Sequence, residues 1–204
     1  MNATSKTMDI PQQPLRMLIL DAARKLFAEH GYAQVSMRKL ATTIGYSPTT
    51  IYHHFKDKKE LFLCLTEETY RDFLRHINTI LSSAKSPKDA LKKILHTLVD
   101  MGLENPSAYR VGFMMESDLI TKGENDSFQN NPLGKTMYNR INNCVKECMD
   151  GKNASEEDIL VTSHSVIAAA HGLTALLITY PAFEWGKLER LKKQVIDSAV
   201  DAIG

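Results

Sequence analysis

The stretch VSMRKLATTIGYSPTTIYHHFKDKKEL, residues 35–61, decides the fold of the N-terminal part of this chain. Ser36 predicts the N-cap of a short helix, and Gly45 predicts its end, because glycine tolerates the left-handed backbone of a C-terminal cap. Ser47 and Pro48 predict the start of a second short helix, since proline fits the first helical position. Two short helices joined by a glycine-containing turn of this length predict a helix-turn-helix, whose second helix enters the major groove of DNA.

The residues on either side of this stretch predict the helices that flank it. Before it, apolar residues at helical spacing predict a helix over residues 14–30, and Gly31 predicts its end. After it, Asp57 predicts the N-cap of a long helix over residues 58–83, with Glu60 at the third position completing a capping box. The first helix offers an apolar face that packs under the two short helices, and the long helix leads into the rest of the chain.

The remaining residues continue the helical pattern to the end of the chain. Alternation typical of strands is not found, and helical periodicity covers residues 86–104, 106–120, 133–149, 156–180 and 186–203. Residues 121–132 are polar and contain glycine, asparagine and aspartate, which predicts a loop. We therefore predict an all-α fold of about nine helices. Its predicted divisions are a disordered tail (1–13), a helix-turn-helix domain (14–60) and a second helical domain (61–204).

Composition and charge fit a folded protein with one end suited to nucleic acid. Of the 204 residues, 43% are apolar, yet no apolar run reaches the roughly 18 residues of a membrane span. The N-terminus lacks the apolar core of a signal peptide, so we expect a cytoplasmic protein. Residues 1–60 carry nine Lys or Arg and five Asp or Glu, whereas residues 61–204 carry sixteen and nineteen. The basic part is therefore the N-terminal one, which favours DNA contact there.

Residues 16–62 resemble the DNA-binding domain of the tetracycline-repressor (TetR) family of bacterial transcription regulators. The spacing is continuous across the matching positions, which are Ala22, Ala23, Leu26, Phe27, Gly31, Tyr32, Val35, Ser36, Arg38, Lys39, Leu40, Ala41, Gly45, Ile51, Tyr52, Phe55, Lys58, Glu60 and Leu61. The resemblance implies an N-terminal head that binds DNA and a C-terminal helical body that binds a small effector and forms a homodimer. Operators of the family are usually palindromic, and a palindrome requires a dimer with two reading heads.

The resemblance also implies which residues face the DNA. The matching positions are Ser36, Arg38, Pro48, Thr49, Thr50, Tyr52, His53, His54 and Lys58. Base edges are read by hydrogen bonds and methyl contacts, so we assign Arg38, Thr49 and His53 to bases. We assign Tyr52, Thr50 and Lys58 mainly to phosphates. A zinc site is not predicted at His53 and His54, because adjacent helical residues point about 100° apart.

The body offers candidates for an effector pocket among its methionine, aromatic and histidine side chains. Methionine and aromatic residues adapt to varied apolar ligands, although plain core packing is the competing explanation for each of them. The candidates are Met101, Tyr109, Phe113, Met114, Tyr138, His164 and His171. The two histidines are seven residues apart and share one helix face, where they can supply polar contacts. Because few of the candidates are charged, we expect an apolar effector, and we predict neither a metal nor a cofactor.

The last two helices are the predicted dimer interface, as the resemblance implies. The long apolar helix over residues 156–180 carries small residues that let another helix approach closely, either within one chain or from a second chain. The predicted interface residues are Ala168, Gly172, Ala175, Val195 and Ala199. The run Ala170-His171-Gly172 also resembles a subset of the family with a Trp-His-Gly signature, with Ala170 in place of the tryptophan.

Three alternatives compete with a ligand-responsive repressor. The first is an enzyme, which no motif favours, because the sequence contains no phosphate-binding glycine loop, HExxH motif or GxSxG motif. A redox sensor would use Cys144 and Cys148, which lie four residues apart on one helix face, although such cysteines are more often small core residues. A regulator controlled by a protein partner is the third alternative.

Overall fold

The computed structural model describes residues 12–115 and 131–203, and every regular element in these two ranges is helical. The nine helices of the described ranges are α1 (Gln12–His30), α2 (Met37–Ile44), α3 (Pro48–His54), α4 (Lys58–Ser83), α5 (Pro87–Glu104), α6 (Pro106–Tyr109, extended by the π-helical turn Arg110–Met114), α7 (Pro132–Cys148), α8 (Glu156–Thr179) and α9 (Leu188–Lys192, continued by the π-helical turn Lys193–Asp197 and by Ser198–Asp201). The predicted all-α fold is confirmed. Residues 1–11 of the predicted tail, the end of the helix predicted over 106–120 and most of the predicted loop lie outside the described residues. Residues 12 and 13, predicted as part of the tail, instead form the start of α1.

The caps that the sequence predicted explain why the first helices begin and end where they do. The hydroxyl of Ser36 accepts a hydrogen bond from the backbone N–H of Lys39, and the Ser47 hydroxyl does the same at the start of α3. Gly45 ends α2 with a φ of 75°, in the left-handed region that glycine adopts most easily. The two short helices and their turn are therefore fixed by local chemistry, before any tertiary packing is considered.

The start of α4 differs in one detail from the predicted capping box. The Asp57 carboxylate accepts from the Glu60 N–H at 2.8 Å, as predicted. The Glu60 carboxylate, however, accepts from the N–H of Lys56 at 2.6 Å, one residue before the cap, rather than from that of Asp57. The reciprocal capping box is found instead at the start of α8, between Ser155 and Asp158.

The first hydrophobic core lies in the head, between α1, α2, α3 and the beginning of α4. At its centre the rings of Phe27, Tyr32 and Phe62 pack with centroids 5.1 to 5.8 Å apart. This core also includes the buried side chain of Leu65 in α4, so its packing continues beyond the domain boundary predicted at residue 60. The first turns of α4 are thus part of the head's core, and the boundary itself stays a prediction.

The second core lies in the body, where α5 is packed among α4, α7, α8 and α9. Helix α5 lies against α8 at Gly102, which is buried. A Cβ atom built at Gly102 would lie 2.2 Å from Cγ2 of Thr174 and 3.0 Å from the Tyr109 ring. Glycine is therefore required at this crossing by the neighbouring side chains and not by its backbone angles.

Helix α6 belongs to both cores at once. Tyr109 is buried in the body core, and Val111, two residues further on, is buried in the head core. Helix α4 is also bonded to the π-helical turn, because the hydroxyl of Tyr70, a body-core residue, donates to the carbonyl oxygen of Gly112 at 3.0 Å. The chain passes from head to body once, through α4, but α6 returns to the head and connects the two parts a second time.

The Gly102 crossing gives a direct test of this packing. We expect Gly102→Ala to lower the free energy of unfolding by about 1–3 kcal/mol, because the new methyl group overlaps the Thr174 methyl. Adding Thr174→Ser removes that methyl and keeps the hydroxyl that donates to the Ala170 carbonyl oxygen at 2.7 Å. Urea denaturation should therefore find the double variant more stable than Gly102→Ala alone. If the two proteins are equally unstable, the α5–α8 crossing is not as described.

Candidate DNA-binding surface and effector cleft

Helix α3 buries one face and exposes the other. Ile51 is fully buried, and Phe55, which caps the helix, is buried beside it in the head core. The opposite face exposes Thr49, Tyr52 and His53 to solvent, with Tyr52 52% exposed. A seven-residue helix held by buried apolar side chains and presenting polar groups outward has the shape that groove reading requires.

The exposed face of the head is rich in cations. Arg38 and Lys39 on α2 are exposed, as are Lys56 and Lys59 around the start of α4. Arginine and lysine side chains at such positions can neutralise phosphates on both sides of a groove. Part of the excess of basic residues in positions 1–60 therefore lies on the surface around α2 and α3.

Three of the predicted DNA-facing residues also have contacts within the head. The hydroxyl of Ser36 caps α2, and the Thr50 hydroxyl lies 2.8 Å from that of Ser47. The Lys58 ammonium donates to the carbonyl oxygen of Tyr32 at 2.9 Å and lies 4.0 Å from the centre of its ring. Lys58 therefore ties the start of α4 to the turn after α1, so its replacement would disturb the head as well as any phosphate contact.

A cleft of about 460 Å³ opens where the head meets the body. Three of the predicted effector residues line it, namely Met101, Tyr109 and Phe113. Sequence reasoning missed the residues that complete it, which are Arg24, Glu68, Thr69, Arg71, Asp72, Arg75, His76, Glu104, Asn105 and Ala108. The charged residues on α4 have the spacing of an ordinary solvated helix face, and no signal in the sequence places them beside Tyr109.

An ion pair crosses between head and body at this cleft. Arg24 of α1 donates to the carboxylate of Glu68 on α4 at 2.9 Å and to that of Asp21 at 2.8 Å. Its Nε atom is buried without a hydrogen-bond partner among the described residues. A bound molecule that competes for Arg24 or Glu68 would therefore act directly on a contact between the head and the body.

Behind the cleft, α6 and α8 are joined by a pair of rings, of which Tyr109 is buried and His171 partly buried. The Tyr109 hydroxyl lies 2.8 Å from Nδ1 of His171, and the two rings stack with centroids 5.7 Å apart. Burial raises the pKa of Tyr109 to about 12 and lowers the pKa of His171 below its usual value. At neutral pH the tyrosine is thus protonated and the histidine uncharged, so the phenol can donate to the imidazole.

The other predicted effector residues lie elsewhere. The Tyr138 hydroxyl is 3.2 Å from Nε2 of His164, and this pair joins α7 to α8 at an exposed position. Met114 is 36% exposed and does not line the cleft. His164 and His171 share one face of α8 but contact different tyrosines, because His171 lies against α6 and His164 lies against α7.

The predicted dimer residues fall into two groups. On α8, Ala168 is exposed, while Gly172 and Ala175 are partly exposed, and a Cβ atom at Gly172 would meet nothing within 4 Å. On α9, Val195 and Ala199 are partly covered by the body core. A close approach of this kind within the chain occurs at Gly102 instead, whereas Ala168, Gly172 and Ala175 of α8 stay at least partly exposed.

Comparison with known proteins identifies the head. Residues 19–65 match the family model described as bacterial regulatory proteins, tetR family. A stretch of 53 residues is 51% identical to the HTH-type transcriptional repressor AcnR of Corynebacterium diphtheriae, covering 26% of this chain and 28% of that protein. Another of 84 residues is 30% identical to the fatty acid metabolism regulator protein of Bacillus subtilis, covering 41% of this chain and 43% of that protein. The head, residues 19–65, therefore has the sequence pattern of the TetR family.

Solved structures extend the likeness in fold to the body. The fatty acid degradation regulator FadR from Bacillus halodurans superimposes with a TM-score of 0.73 at 20% identity, over 92% of this chain and 95% of that one. SmeT in its triclosan complex superimposes with a TM-score of 0.64 at 20% identity, over 93% and 91%. The sequence matches to the curated relatives above span less than half of those proteins, so for the body the likeness to solved structures shows the fold alone. The family consists of transcription regulators, which supports the prediction that this chain is not an enzyme.

The cysteines on α7 lack the features of a redox sensor. Cys144 and Cys148 are both buried. Burial, with the nearby Glu147, raises the pKa of the Cys144 thiol to about 11, and burial also raises that of Cys148. Because the thiolate is the reactive form, both thiols are poorly reactive at neutral pH. Among the described residues no group of three or more His, Cys, Asp or Glu is arranged to hold a metal ion.

One described helix, α8, has the length and composition of a membrane span. Its most apolar window has a mean hydropathy of 1.5, and 28% of that window is buried within the chain. A single helix of this kind is weak evidence for a membrane. The two values together indicate that α8 carries apolar side chains that the described residues only partly bury.

The partial burial of His171 beside Tyr109 predicts a pH dependence of stability. The unfolded chain takes up a proton on His171 near pH 6.5, whereas the folded protein, with its lowered pKa, takes it up only at lower pH. The free energy of unfolding should therefore fall as the pH drops below about 6.5, and His171→Gln should remove that part of the fall. Urea denaturation of both proteins at neutral and mildly acidic pH, at one protein concentration, measures it. Identical pH dependences would contradict the burial of this histidine.

Proposed function

We propose that the protein is a cytoplasmic, ligand-responsive transcriptional repressor that binds a palindromic operator as a homodimer. The observation that carries the proposal is the exposed polar face of α3, held outward by buried Ile51 and Phe55 on a TetR-family head. The relative AcnR is itself named a transcriptional repressor. Two such heads on a twofold axis would read two half-sites about one helical turn apart.

Within this proposal the exposed residues fall into two groups, those that contact bases and those that contact the phosphates of the DNA. Arg38, Thr49 and His53 would contact base edges, and the Pro48 ring and the Thr49 methyl would pack on a thymine methyl group. Tyr52 would hold a phosphate, together with Ser36, Thr50, His54 and Lys58. Because Lys58 already anchors the Tyr32 carbonyl, Tyr52 is the cleaner probe of a phosphate contact.

The effector would occupy the cleft between head and body. Its wall carries Met101, Tyr109 and Phe113 on one side and charged residues of α4 on the other. This lining supports an effector with an apolar portion and a hydrogen-bonding portion, which refines the apolar or weakly polar effector expected from the sequence. SmeT, whose fold is shared, is described in complex with the small molecule triclosan.

The switch would act through α6. This helix lines the cleft with Tyr109 and Phe113 and places Val111 in the head core. An effector that moves α6 therefore also shifts the packing under α3, and it can change operator affinity only by its differential affinity for the two arrangements. A movement caused by the effector could therefore reach the head along the continuous helix α4 and also through the packing contacts of α6.

The DNA-binding part of the proposal is tested by replacing exposed side chains of the head. Arg38→Ala should cost roughly 1–3 kcal/mol of binding free energy and relax preference at one base pair. Tyr52→Ala should weaken binding to all sequences by a similar factor, because it removes a backbone contact. Arg140→Ala, an exposed arginine of α7 far along the chain, is the matched control. Mobility-shift titrations that find all three variants equal to wild type would refute a DNA-reading α3.

The effector part of the proposal predicts reciprocity. A molecule that binds in the cleft and lowers operator affinity must itself bind more weakly to the operator-bound protein, by the same factor and typically by about 1–3 kcal/mol. A ligand found by mass spectrometry of the purified protein would be titrated calorimetrically into free and operator-bound samples. Phe113→Ala should weaken this binding, whereas Tyr138→Ala, outside the cleft, should not. Equal affinities in the two samples would exclude a ligand-released repressor.

A further inference from the structure

Helix α9 is joined to α5 by a row of three charged contacts. The contacts are Lys92–Asp201 at 2.8 Å, His96–Asp197 at 2.7 Å and Lys192–Asp100 at 2.5 Å. The two helices run antiparallel along this row, because the α5 residue number rises from one contact to the next while the α9 number falls. Lys192 is 4% exposed, so this end of the row lies inside the body.

The two sides of the row have different spacings. On α5 the three residues are four apart throughout, which places them on one face of a regular α-helix. On α9, Asp197 and Asp201 are also four apart, but Lys192 and Asp197 are five apart. Five residues of an α-helix turn about 140° beyond one full turn, so Lys192 would point away from α5. It faces Asp100 because the intervening residues, Lys193–Asp197, form a π-helical turn, which accommodates one extra residue.

The residue after Lys192 is a second lysine. Lys193 is exposed and stands four residues before Asp197, which is the spacing of a regular α-helix. A shift of the first part of α9, residues 188–192, by one position towards its N-terminal end would make the π-helical turn α-helical. Lys193 would then take the place of Lys192 beside Asp100, and all three contacts of the row would be kept.

Apolar burial explains why the structure has the π-helical turn. Leu188 and Leu191 pack against the body core. After the shift, Glu189 and Lys192 would take the places of these two leucines, and Leu191 would move to the exposed place of Arg190. The observed register therefore gains burial of two leucines, whereas the shifted register gains regular α-helical hydrogen bonds. Opposing contributions of this kind give a helix two discrete arrangements.

We propose that α9 is a register switch in which Lys192 and Lys193 alternate as the partner of Asp100. In the observed register the helix contains the π-helical turn, and in the shifted register it is α-helical throughout. Asp100 directly precedes Met101, which lines the cleft, so a molecule that binds there and moves the end of α5 changes the balance between the registers. This last consequence rests on the effector cleft proposed above, whereas the two registers themselves do not.

Zero-length crosslinking identifies the lysine that pairs with Asp100. A carbodiimide activates a carboxylate, and an adjacent amine then forms an amide with it and releases the urea, so mass spectrometry of the digested protein locates the pair. Wild type should link Asp100 mainly to Lys192. Lys192→Met should move the link to Lys193, because the shifted register keeps the contact and puts the new methionine in the apolar place of Leu191. Lys193→Met, at an exposed position, is the matched control and should keep the wild-type link.

Deletion of Gln194 separates a change of register from the reach of a long side chain. Without this exposed residue Lys192 stands four residues before Asp197, so α9 is regular in its observed position and no shift keeps the contacts. The deletion protein should link Asp100 to Lys192, and Lys192→Met in this background should lose the link. A link that moves to Lys193 in both backgrounds would show side-chain reach alone and overturn the switch. A link that moves in neither would make Lys192 a fixed anchor and overturn it too.

Thiol labelling gives a readout that needs no deletion. In a Cys64→Ser background, the thiol of Leu191→Cys should react severalfold faster once Lys192→Met is added, because the shift carries it to the exposed place of Arg190. Arg190→Cys is exposed in both registers, so its rate should stay the same. Equal rates for Leu191→Cys with and without Lys192→Met would overturn the switch. Crosslinking and labelling use neither DNA nor an effector, so failure of the switch and failure of the proposed function are distinguishable.

The connection to the cleft is tested by filling the cleft with a side chain. Met101→Trp should change the ratio of the Lys193 link to the Lys192 link severalfold, because the larger side chain displaces the end of α5 beside Asp100. Tyr138→Trp, outside the cleft, is the matched control and should leave the ratio at its wild-type value. A ratio that Met101→Trp leaves unchanged would overturn the connection between the cleft and α9.

Discussion

The rest of the structure depends on the fact that α6 is buried in two cores at once. Val111 packs in the head core and Tyr109 in the body core, and two residues of one helix cannot move independently. Arg110 between them donates to the carbonyl oxygen of Ile178 at 2.7 Å, near the end of α8. The head, the effector cleft and the helix of the proposed dimer face thus all meet at one short segment.

The π-helical turn of α6 lies where consecutive residues contact different parts of the protein. A regular α-helix would present neighbouring residues 100° apart, and here Tyr109, Arg110, Val111 and Gly112 must each reach a different partner. Gly112 also has to lie close to α4, because a Cβ atom there would come within 2.9 Å of the Thr69 methyl. Irregular turns of this kind are frequent at functional sites, and this one lies where the effector is proposed to act.

The sequence predicted the elements whose boundaries are set by neighbouring residues. Ser36, Gly45 and Ser47 act on helices that begin or end beside them, so α2 and α3 follow from local pattern. The cleft was not predicted from the sequence. The ion pair beside it joins Arg24 to Glu68, which are 44 residues apart, and in the sequence both look like ordinary surface charges. For the same reason His164 and His171 share a face as predicted but bind different tyrosines, since their partners come from other helices.

Native-state hydrogen exchange of wild type and Val111→Ala tests whether α6 couples the head to the body by packing. Val111 contacts the head core alone, so a purely local defect would lower protection only in α1 and the start of α4. The account predicts that the slowest-exchanging amides of α1 and those of α8 around His171 lose protection by the same free energy. Loss in the head with unchanged protection in α8 would contradict it.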